Sequence, residues 1–475
     1  MYNDTFDLDQ LCAYKETNRL EMTDVNNGLP ITFWETYSAF SNSNGGVIVL
    51  GLKEASDGAL LSTHLQNKDK LLNEFWETVN DPTKVNVNLL KYNDVNTYYL
   101  NGDVIIIYVP KADREHKPVY INNNLVNGTF RRNDKGNYRC TKSEISGMVR
   151  DQDTNYDNKC IDYMDMSVLN SETIRKFRSH NNIINYNHVW HKLPNNEYLE
   201  RIGAAKIGKD DGKLHPTIAG LLMFGKEYKI RYEFPEYSLE YRSMLGQNLS
   251  LDDRLVSTSG DWSGNLVDFF FILEKKLSNG LKRPVKLAGF SNIDETDIHN
   301  SVREALLNCI INADFNFPRG IVIKKYFDKL IIENPGSIIV GKERMIKGGI
   351  SEPRNRIIKK MFNLLDIGKS LGDGVPYIFN VWHDAGLLQP TIEELYNPDR
   401  TILTLPFVDQ VENPSGSGEK DTLKSIAQAD TLKHTAQANA GGFGEADSFE
   451  PTVQADNACG LKHADTLGTL FELKF

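Results

Sequence analysis

The chain has 475 residues, of which 40% are apolar and 25% charged, and its formal net charge is −10. The length predicts about three domains of a soluble globular protein, and the negative balance excludes a generic polyanion binder, so that any nucleic-acid contact needs a local basic patch. The five cysteines are scattered and form no CxxC pair, which argues against a zinc ribbon and fits a cytoplasmic protein. The N-terminus lacks the apolar core of a signal peptide. The longest apolar runs have the length of a strand, which is too short for a membrane helix.

Residues 1–150 predict an N-terminal α/β domain. Helical spacing of apolar residues predicts helices over 32–42 and 71–79, and the apolar run over 47–52, which follows a Gly-Gly turn, predicts a buried strand. Asn101-Gly102, between two apolar runs, predicts a β-hairpin with a two-residue turn.

Residues 167–294 predict a mixed middle domain, which follows a polar connector over 150–165. Its predicted elements are helices over 171–180, 216–224 and 262–281 and a strand over 238–243.

Residues 295–408 predict a third domain and residues 409–475 a disordered tail. The third domain is expected to contain helices over 297–313, 342–347, 354–365 and 375–385 and strands over 320–326, 329–333 and 401–407. The tail is rich in Ser, Gly, Ala and Asp, and its apolar residues are too sparse to bury a face. The fold class is therefore a mixed, multidomain α+β arrangement.

The helix predicted over 297–313 has a polar face that could bind a ligand. Glu304 and Asn308 are four positions apart, so their side chains project from the same face about one turn apart. Asn312 extends this face by a further turn. Such spacing by itself usually marks a solvated helix face, but a carboxylate and a carboxamide placed in this way can also hold a divalent metal and a water beside a phosphate.

Two glycine-containing segments follow that helix along the chain. Asn334-Pro335-Gly336 ends a predicted strand as a tight turn, and Gly372 and Gly374 belong to a glycine-rich loop that opens onto a helix. Glycines let backbone N–H groups approach a phosphate, and a helix N-terminus favours negative charge. Helix, turn and loop together predict a nucleotide site.

These segments resemble a known family. The sequences are Arg303-Glu-Ala-Leu-Leu-Asn308, Ile332-Glu-Asn-Pro-Gly336, Gly348-Gly-Ile-Ser-Glu-Pro-Arg-Asn355 and Gly372-Asp-Gly-Val-Pro376. They resemble the divergent ATPase domain of the gyrase, MutL and histidine-kinase (GHKL) superfamily, in the form found in bacterial regulators. The resemblance implies an α/β sandwich that binds ATP and Mg²⁺.

The resemblance also implies roles for individual residues. Glu304 would act as the general base on water, and Asn308 would hold Mg²⁺. Asn312, Asn334 and Gly336 would lie beside the cofactor, the last two bordering the adenine, and Gly372 and Gly374 would border the phosphates. This chain departs from the family pattern in three ways: Asn312 replaces a histidine, Lys369 replaces an acidic residue before the glycines, and the usual adenine-binding aspartate has no counterpart. ATP binding is therefore better supported than turnover.

The N-terminal domain resembles a second family. Ser38-Ala-Phe-Ser-Asn-Ser-Asn-Gly-Gly46, followed by Lys117-Pro-Val-Tyr120 and Phe130-Arg-Arg132, is similar to the Schlafen AlbA-type domain. The resemblance extends to about residue 145, and such domains commonly precede the ATPase type described above. It implies a nucleic-acid-binding domain.

Positive charge concentrates near the end of this domain. Between Lys111 and Lys142 there are eight Lys or Arg and three acidic residues, interleaved with aromatic residues. The sequence predicts that Arg131, Arg132, Lys135 and Arg139 meet phosphates while an aromatic ring stacks on a base. A solvated hairpin face is the alternative.

Some Schlafen-type domains are metal-dependent RNA nucleases. Glu16 and Glu21 fall where two of the acidic residues of such enzymes would lie, and Glu54 or Asp57 would be the third. Structural or exposed carboxylates are the alternative explanation.

The leading hypothesis is a transcription regulator in which ATP and Mg²⁺ control how the N-terminal domain holds nucleic acid, DNA in preference to RNA. An ATP-gated RNA or tRNA endonuclease, for instance in phage defence, is the second hypothesis, and a scaffold with a degenerate nucleotide pocket is the third. A slow ATPase and a homo-oligomer are both compatible with the first.

Overall fold

The computed structural model describes residues 18–23, 25, 28–54, 56, 60–63, 65, 67–99, 102–133, 136–245, 251, 253–278, 295–368 and 373–408. The predicted disordered tail lies outside these ranges. No helix within them combines the length and the apolar character that a bilayer crossing needs.

A four-stranded sheet organises the N-terminal region. Its order is β1 (Leu20–Thr23), β2 (Gly46–Leu50), β6 (Asp103–Val109) and β5 (Val95–Tyr99), with β1 and β2 parallel and the other pairs antiparallel. Alternate residues of β2 and β6 enter different hydrophobic clusters on the two faces. This two-sided burial is why both strands are almost continuously apolar.

Helices and hairpins cover this sheet. They are α1 (Ile31–Asn42), α2 (Lys68–Asn80), the hairpin of β3 (Leu52–Glu54) and β4 (Leu60–Ser62), the hairpin of β7 (Phe130–Asn133) and β8 (Gly136–Arg139), and α3 (Lys142–Gln152). A capping box of Thr141 and Glu144 begins α3. The sequence did not predict this helix, which extends into the expected connector.

Short elements follow in the middle region. They are α4 (Ser171–Ile184), α5 (Asn195–Ile202), the paired strands β9 (Ala205–Ile207) and β10 (Leu214–Pro216), α6 (Ile218–Phe224), α7 (Glu227–Glu233) and α8 (Leu266–Ser278). Single 3-10 turns lie at Tyr92–Asp94, Tyr156–Asn158, Met166–Val168, Val189–Lys192 and Ser257–Ser259.

A six-stranded sheet joins the middle region to the third one. Its order is β12 (Asp253–Val256), β11 (Leu239–Met244), β13 (Ile321–Tyr326), β14 (Lys329–Pro335), β16 (Arg400–Pro406) and β15 (Thr391–Leu395). The β11–β13 pair is parallel, whereas the other pairs are antiparallel. The remaining helices are α9 (Glu295–Asn312), α10 (Lys342–Lys347), α11 (Arg356–Asn363) and α12 (Gly374–Asp384).

One hydrophobic core extends across these two regions. It contains residues from Ile161 to Leu405, including members of α4, α8, α9 and the six-stranded sheet. The mixed multidomain fold and the predicted helices of this part are confirmed, with ends shifted by a few residues. The turn predicted at Asn334-Pro335 is wrong, because β14 continues through both residues. The boundaries of the middle and third domains remain a prediction.

Candidate functional site

Helix α9 buries most of its apolar residues and leaves two polar side chains partly accessible. Val302, Ala305 and Leu306 are buried in the core, while Glu304 and Asn308 are half-buried. The helix packs against β14, α8 and α12. The polar pair lines a cleft that is also bordered by the start of α12 and by the end of β14.

This cleft has a cavity volume of about 110 Å³ and opens to solvent. Glu304, Asn308 and Lys359 line it together with Gly374. The remaining wall is largely aliphatic and comprises Leu307, Ile311, Ile332, Ile338, Ile339, Val340, Met345, Ile350, Ile392 and Leu403. An apolar wall combined with a few polar groups is typical of a small-molecule site.

Asn308 has a side chain available for a ligand. Its Nδ2 is buried, and no described residue accepts a hydrogen bond from it. Asn312, also on the cleft wall, donates from Nδ2 to the Asn308 main-chain carbonyl at 2.9 Å. A buried amide without a partner costs free energy, which a ligand oxygen would recover.

The N-terminus of α12 lies directly against Glu304. A Cβ built on Gly374 would stand 2.3 Å from Glu304 Oε1, so only glycine permits this approach. The unpaired N–H groups at the start of a helix favour negative charge. Gly372, the other predicted phosphate-binding glycine, lies outside the described residues.

Two consecutive residues of the Ser-Glu-Pro-Arg-Asn segment cap the end of α9. Asn355 Nδ2 donates to the carbonyl of Ala313 at 2.8 Å and to that of Ile310 at 3.4 Å, and Arg354 Nη1 donates to the carbonyl of Asn312. Helices leave their last carbonyls without partners, so these contacts fix the end of the helix that carries Glu304.

The end of β14 forms one wall of the cleft. Asn334 lines it and is buried, and its strand partner Thr401 lines it from β16. Gly336 is not a wall residue. It has a φ of +98°, and a Cβ there would lie 2.7 Å from Arg354 Nη1, so this glycine serves the backbone and the packing of Arg354.

Lys359 is a cleft residue that the sequence reasoning did not identify. It lies on α11, its Nζ donates to Ser351 Oγ at 2.5 Å, and burial lowers its pKa while the nearby Glu304 carboxylate opposes that shift. The helix over 354–365 was predicted, but helical spacing does not say which lysine faces a cleft.

The predicted phosphate-binding arginines occupy different environments. Arg131 is only 1% exposed, and its Nη1 contacts Asp399 Oδ1 at 2.5 Å and Glu144 Oε1 at 3.4 Å. Its guanidinium therefore has a structural position and not the exposed one that a phosphate contact requires. Arg139 is exposed and lies over the Phe130 ring, 5.8 Å from its centroid. Lys135 lies outside the described residues.

Arg132 is held by the segment around β1. Its Nη1 contacts Glu21 Oε2 at 2.8 Å, and its Nε donates to the Asn18 carbonyl at 2.8 Å. This pair neutralises Glu21, one of the three predicted nuclease carboxylates. Glu16 and Asp57 lie outside the described residues, and no group of three His, Cys, Asp or Glu suited to a metal occurs among the residues that are described.

Asn42 explains why the Ala-Phe-Ser-Asn segment has its sequence. Its Nδ2 donates to the carbonyls of Val119 at 2.7 Å and Phe130 at 3.0 Å, and its Oδ1 accepts from the Val119 N–H at 2.8 Å. One buried carboxamide thus joins α1 to two chain segments about 80 to 90 positions later.

Three segments of the chain match known families. Residues 11–141 match the family described as "Schlafen, AlbA_2", and residues 319–403 match the family described as "Putative ATP-dependent DNA helicase recG C-terminal". The chain carries a Schlafen AlbA_2 domain followed by a recG C-terminal-type ATPase domain. Residues 146–240, between them, match a domain of unknown function, DUF8451. The pair of domains indicates a nucleic-acid-associated protein that binds nucleotide.

Two solved structures are similar to parts of this chain. The crystal structure of the DIP2311 protein from Corynebacterium diphtheriae is 19% identical, with 84% of this chain and 79% of that one covered and a TM-score of 0.41. The solution structure of the N-terminal domain of a RecG-related protein from Nitrosomonas europaea is 27% identical, with 28% and 90% covered and a TM-score of 0.22. No curated protein matches.

Buried ion pairs connect the AlbA_2 side of the molecule to the ATPase side. Besides Arg131–Asp399, Asp151 contacts Arg354 through both carboxylate oxygens at 2.6 and 2.8 Å, and Arg150 Nη2 contacts Asp314 Oδ2 at 2.7 Å. Asp151 and Arg150 belong to α3, directly after the AlbA_2 domain. The helix thus contacts the residues that cap α9.

Proposed function

We propose that this protein binds ATP with Mg²⁺ in the cleft beside α9, and that the nucleotide controls how the AlbA_2 domain holds DNA, so that the protein acts as an ATP-dependent transcription regulator. The observation that carries the proposal is the convergence on one cleft of Glu304, the N-terminus of α12 and the Asn308 Nδ2, which has no partner among the described residues.

The donor set of the cleft suits magnesium bound to a phosphate chain. Mg²⁺ commonly takes one or two protein oxygens and completes its coordination with phosphates and waters. The Oδ1 of Asn308 would supply one protein oxygen, and Glu304 would accept a proton from a water that attacks the terminal phosphate. The aliphatic wall would give the adenine ring an apolar surface.

The ion pairs between the two sides support a gating mechanism. Asp399, which holds Arg131, also accepts from the Gly336 N–H through its main-chain carbonyl at 2.9 Å. Lys111 Nζ donates to the carbonyl of Ile338, a cleft residue, at 3.4 Å. A nucleotide that moves the end of β14 would therefore act on residues of the AlbA_2 domain. The size of the effect on nucleic-acid binding is set by the difference in ATP affinity between the two conformations of the protein that ATP binding interconverts.

Nucleotide binding is tested by equilibrium dialysis with ATP, with and without Mg²⁺. We expect Glu304→Ala to retain ATP affinity but lose turnover, because it removes the base and leaves the contacts to the phosphates. Asn308→Ala should lose the magnesium-dependent part of binding, because it removes the proposed metal ligand. Wild-type protein that does not bind ATP would refute the proposal.

Gating is tested by a gel shift with pooled DNA and pooled RNA, with and without ATP. A change in DNA affinity on adding ATP, lost in Asn308→Ala, is the expected result. Size-exclusion chromatography of the same samples separates a change of conformation from a change of oligomeric state. Identical shifts at all ATP concentrations would contradict gating even if ATP binds.

A further inference from the structure

Arg114 has hydrogen-bond donors that have no partner among the described residues. The residue follows β6 and is 6% exposed, and its Nε donates to the main-chain carbonyl of Asp151 at 2.5 Å. No described residue accepts from Nη1 or Nη2, although both atoms are buried. Four N–H bonds of a guanidinium are thereby withdrawn from water without compensation, an arrangement that is costly unless a ligand accepts them.

The guanidinium adjoins a small cavity whose other charges are already paired. Arg354 is paired with Asp151 and Arg150 with Asp314. Asp153, at the same cavity, contacts Lys159 at 2.7 Å. Arg114 is thus the arginine of the wall from whose Nη1 and Nη2 no carboxylate of the described wall residues accepts a hydrogen bond.

We propose that Arg114 forms a binding site for a small inorganic anion, chloride or phosphate, in this cavity. Two parallel N–H donors on a planar guanidinium match either anion. The neighbouring Arg150 adds a further donor, because its Nε is also buried without a partner in the described part of the chain. This site is separate from the nucleotide cleft and does not depend on ATP binding.

The position of the cavity gives the anion a structural effect. Arg114 belongs to the AlbA_2 domain, Leu222 and Phe234 line the cavity from the middle region, and Asp314 and Asn355 line it from the region that caps α9. An anion bound there would contact the junction of all three regions, so its binding would stabilise the assembled state.

The solution test uses the full chain in sodium gluconate, with chloride or phosphate replacing gluconate at constant ionic strength. The Tm of the wild-type protein should rise with the concentration of the anion that binds, and Arg114→Met should abolish the rise. Arg356→Met, at a nearby exposed arginine, should retain it and controls for general screening. An equal rise in Arg114→Met, or no rise in the wild type, overturns the proposal.

Crystals of the wild-type protein provide a readout that does not require the variant to fold. With bromide in place of chloride, or with phosphate, we expect an anomalous peak or tetrahedral density within hydrogen-bond distance of Nη1 and Nη2. A water molecule alone at this position would overturn the proposal. Anion density without any dependence of Tm would mean binding at crystal concentration only, which would overturn it as well.

Discussion

At the scale of single residues, the cleft contains a carboxylate that lies against a helix N-terminus and a carboxamide whose N–H donors have no partner among the described residues. Glu304 lies against the start of α12, whereas the buried Nδ2 of Asn308 has no partner among the described residues. Lys359 adds a cation at the same end of the cleft. Charged and polar groups placed in this way discriminate between ligands that differ in charge.

Lys359 should distinguish ATP from ADP. A charge-assisted contact to the terminal phosphate contributes about 1.5–3 kcal/mol, so Lys359→Met should weaken ATP binding by roughly 10- to 100-fold and ADP binding much less. Isothermal titration calorimetry with both nucleotides measures the ratio. Lys360→Met is the matched control, because its Nζ lies near the Arg201 carbonyl outside the cleft. An unchanged ATP/ADP ratio in Lys359→Met would exclude this role.

Asp157 should make stability depend on pH. It is 0% exposed, its Oδ2 accepts from the N–H groups of Ile357 and Ile358 at the start of α11, and burial raises its pKa to about 6. Because the folded state binds this proton more tightly than the unfolded state, stability falls as the pH rises from about 4 to 6, by up to about 3 kcal/mol.

Asp157→Asn keeps the acceptor and removes the charge. The stability of the variant should therefore not fall with rising pH in this way. Its Tm relative to that of the wild type should increase between pH 4 and pH 7. Asp153→Asn is the control, because the Lys159 side chain lowers the pKa of Asp153 and the expected slope has the opposite sign. A Tm difference that does not vary with pH would contradict the assignment.

At the scale of elements, α9 is positioned by its neighbours at both ends of its polar face. Asn355 and Arg354 cap its C-terminal carbonyls, and α12 begins against Glu304. The strand β14 supports it from the sheet side. The cleft is therefore built by several elements, α9, α11, α12, β14 and β16 among them, that only the fold brings together.

Gly374→Ala should change activity more than stability. The added Cβ would meet Oε1 of Glu304, the mobile end of a flexible side chain, so the carboxylate can move at a cost below about 1 kcal/mol. A displaced base no longer reaches the attacking water, and ATP turnover should fall by at least about 10-fold. Thermal unfolding and a phosphate-release assay separate the two effects. Loss of stability with normal turnover would be the opposite of this expectation.

At the scale of the whole molecule, buried charges join the AlbA_2 domain to the ATPase side. Arg131 and Asp399 are separated by 268 positions, and both are almost completely buried. Removing one partner of such a pair leaves an uncompensated charge and costs about 3–5 kcal/mol. Removing Arg131 alone leaves two buried carboxylates without their arginine, those of Asp399 and Glu144, whereas removing both partners leaves only that of Glu144.

A double-mutant cycle should therefore show strong coupling between these domains. Arg131→Met and Asp399→Asn should each lower stability by about 3 kcal/mol or more, and the double variant should be more stable than the sum predicts by about 1–3 kcal/mol. Arg139→Met, at an exposed arginine of the same hairpin, should change stability by less than about 0.5 kcal/mol. Additive losses would show that the pair does not connect the domains energetically.

The sequence by itself determined what short-range geometry controls. Helical spacing placed Glu304 and Asn308 on one face, apolar runs predicted strands such as β2, β13 and β16, and local motifs identified both domain families in their order along the chain. Contacts between distant positions were decided only by the tertiary structure. Burial of Arg131 depends on Asp399, the addition of β11 to the sheet depends on β13, and the approach of Lys359 to Glu304 depends on the packing of α11. Local periodicity cannot specify such contacts, because their energy arises only when separate segments exclude water from the same place.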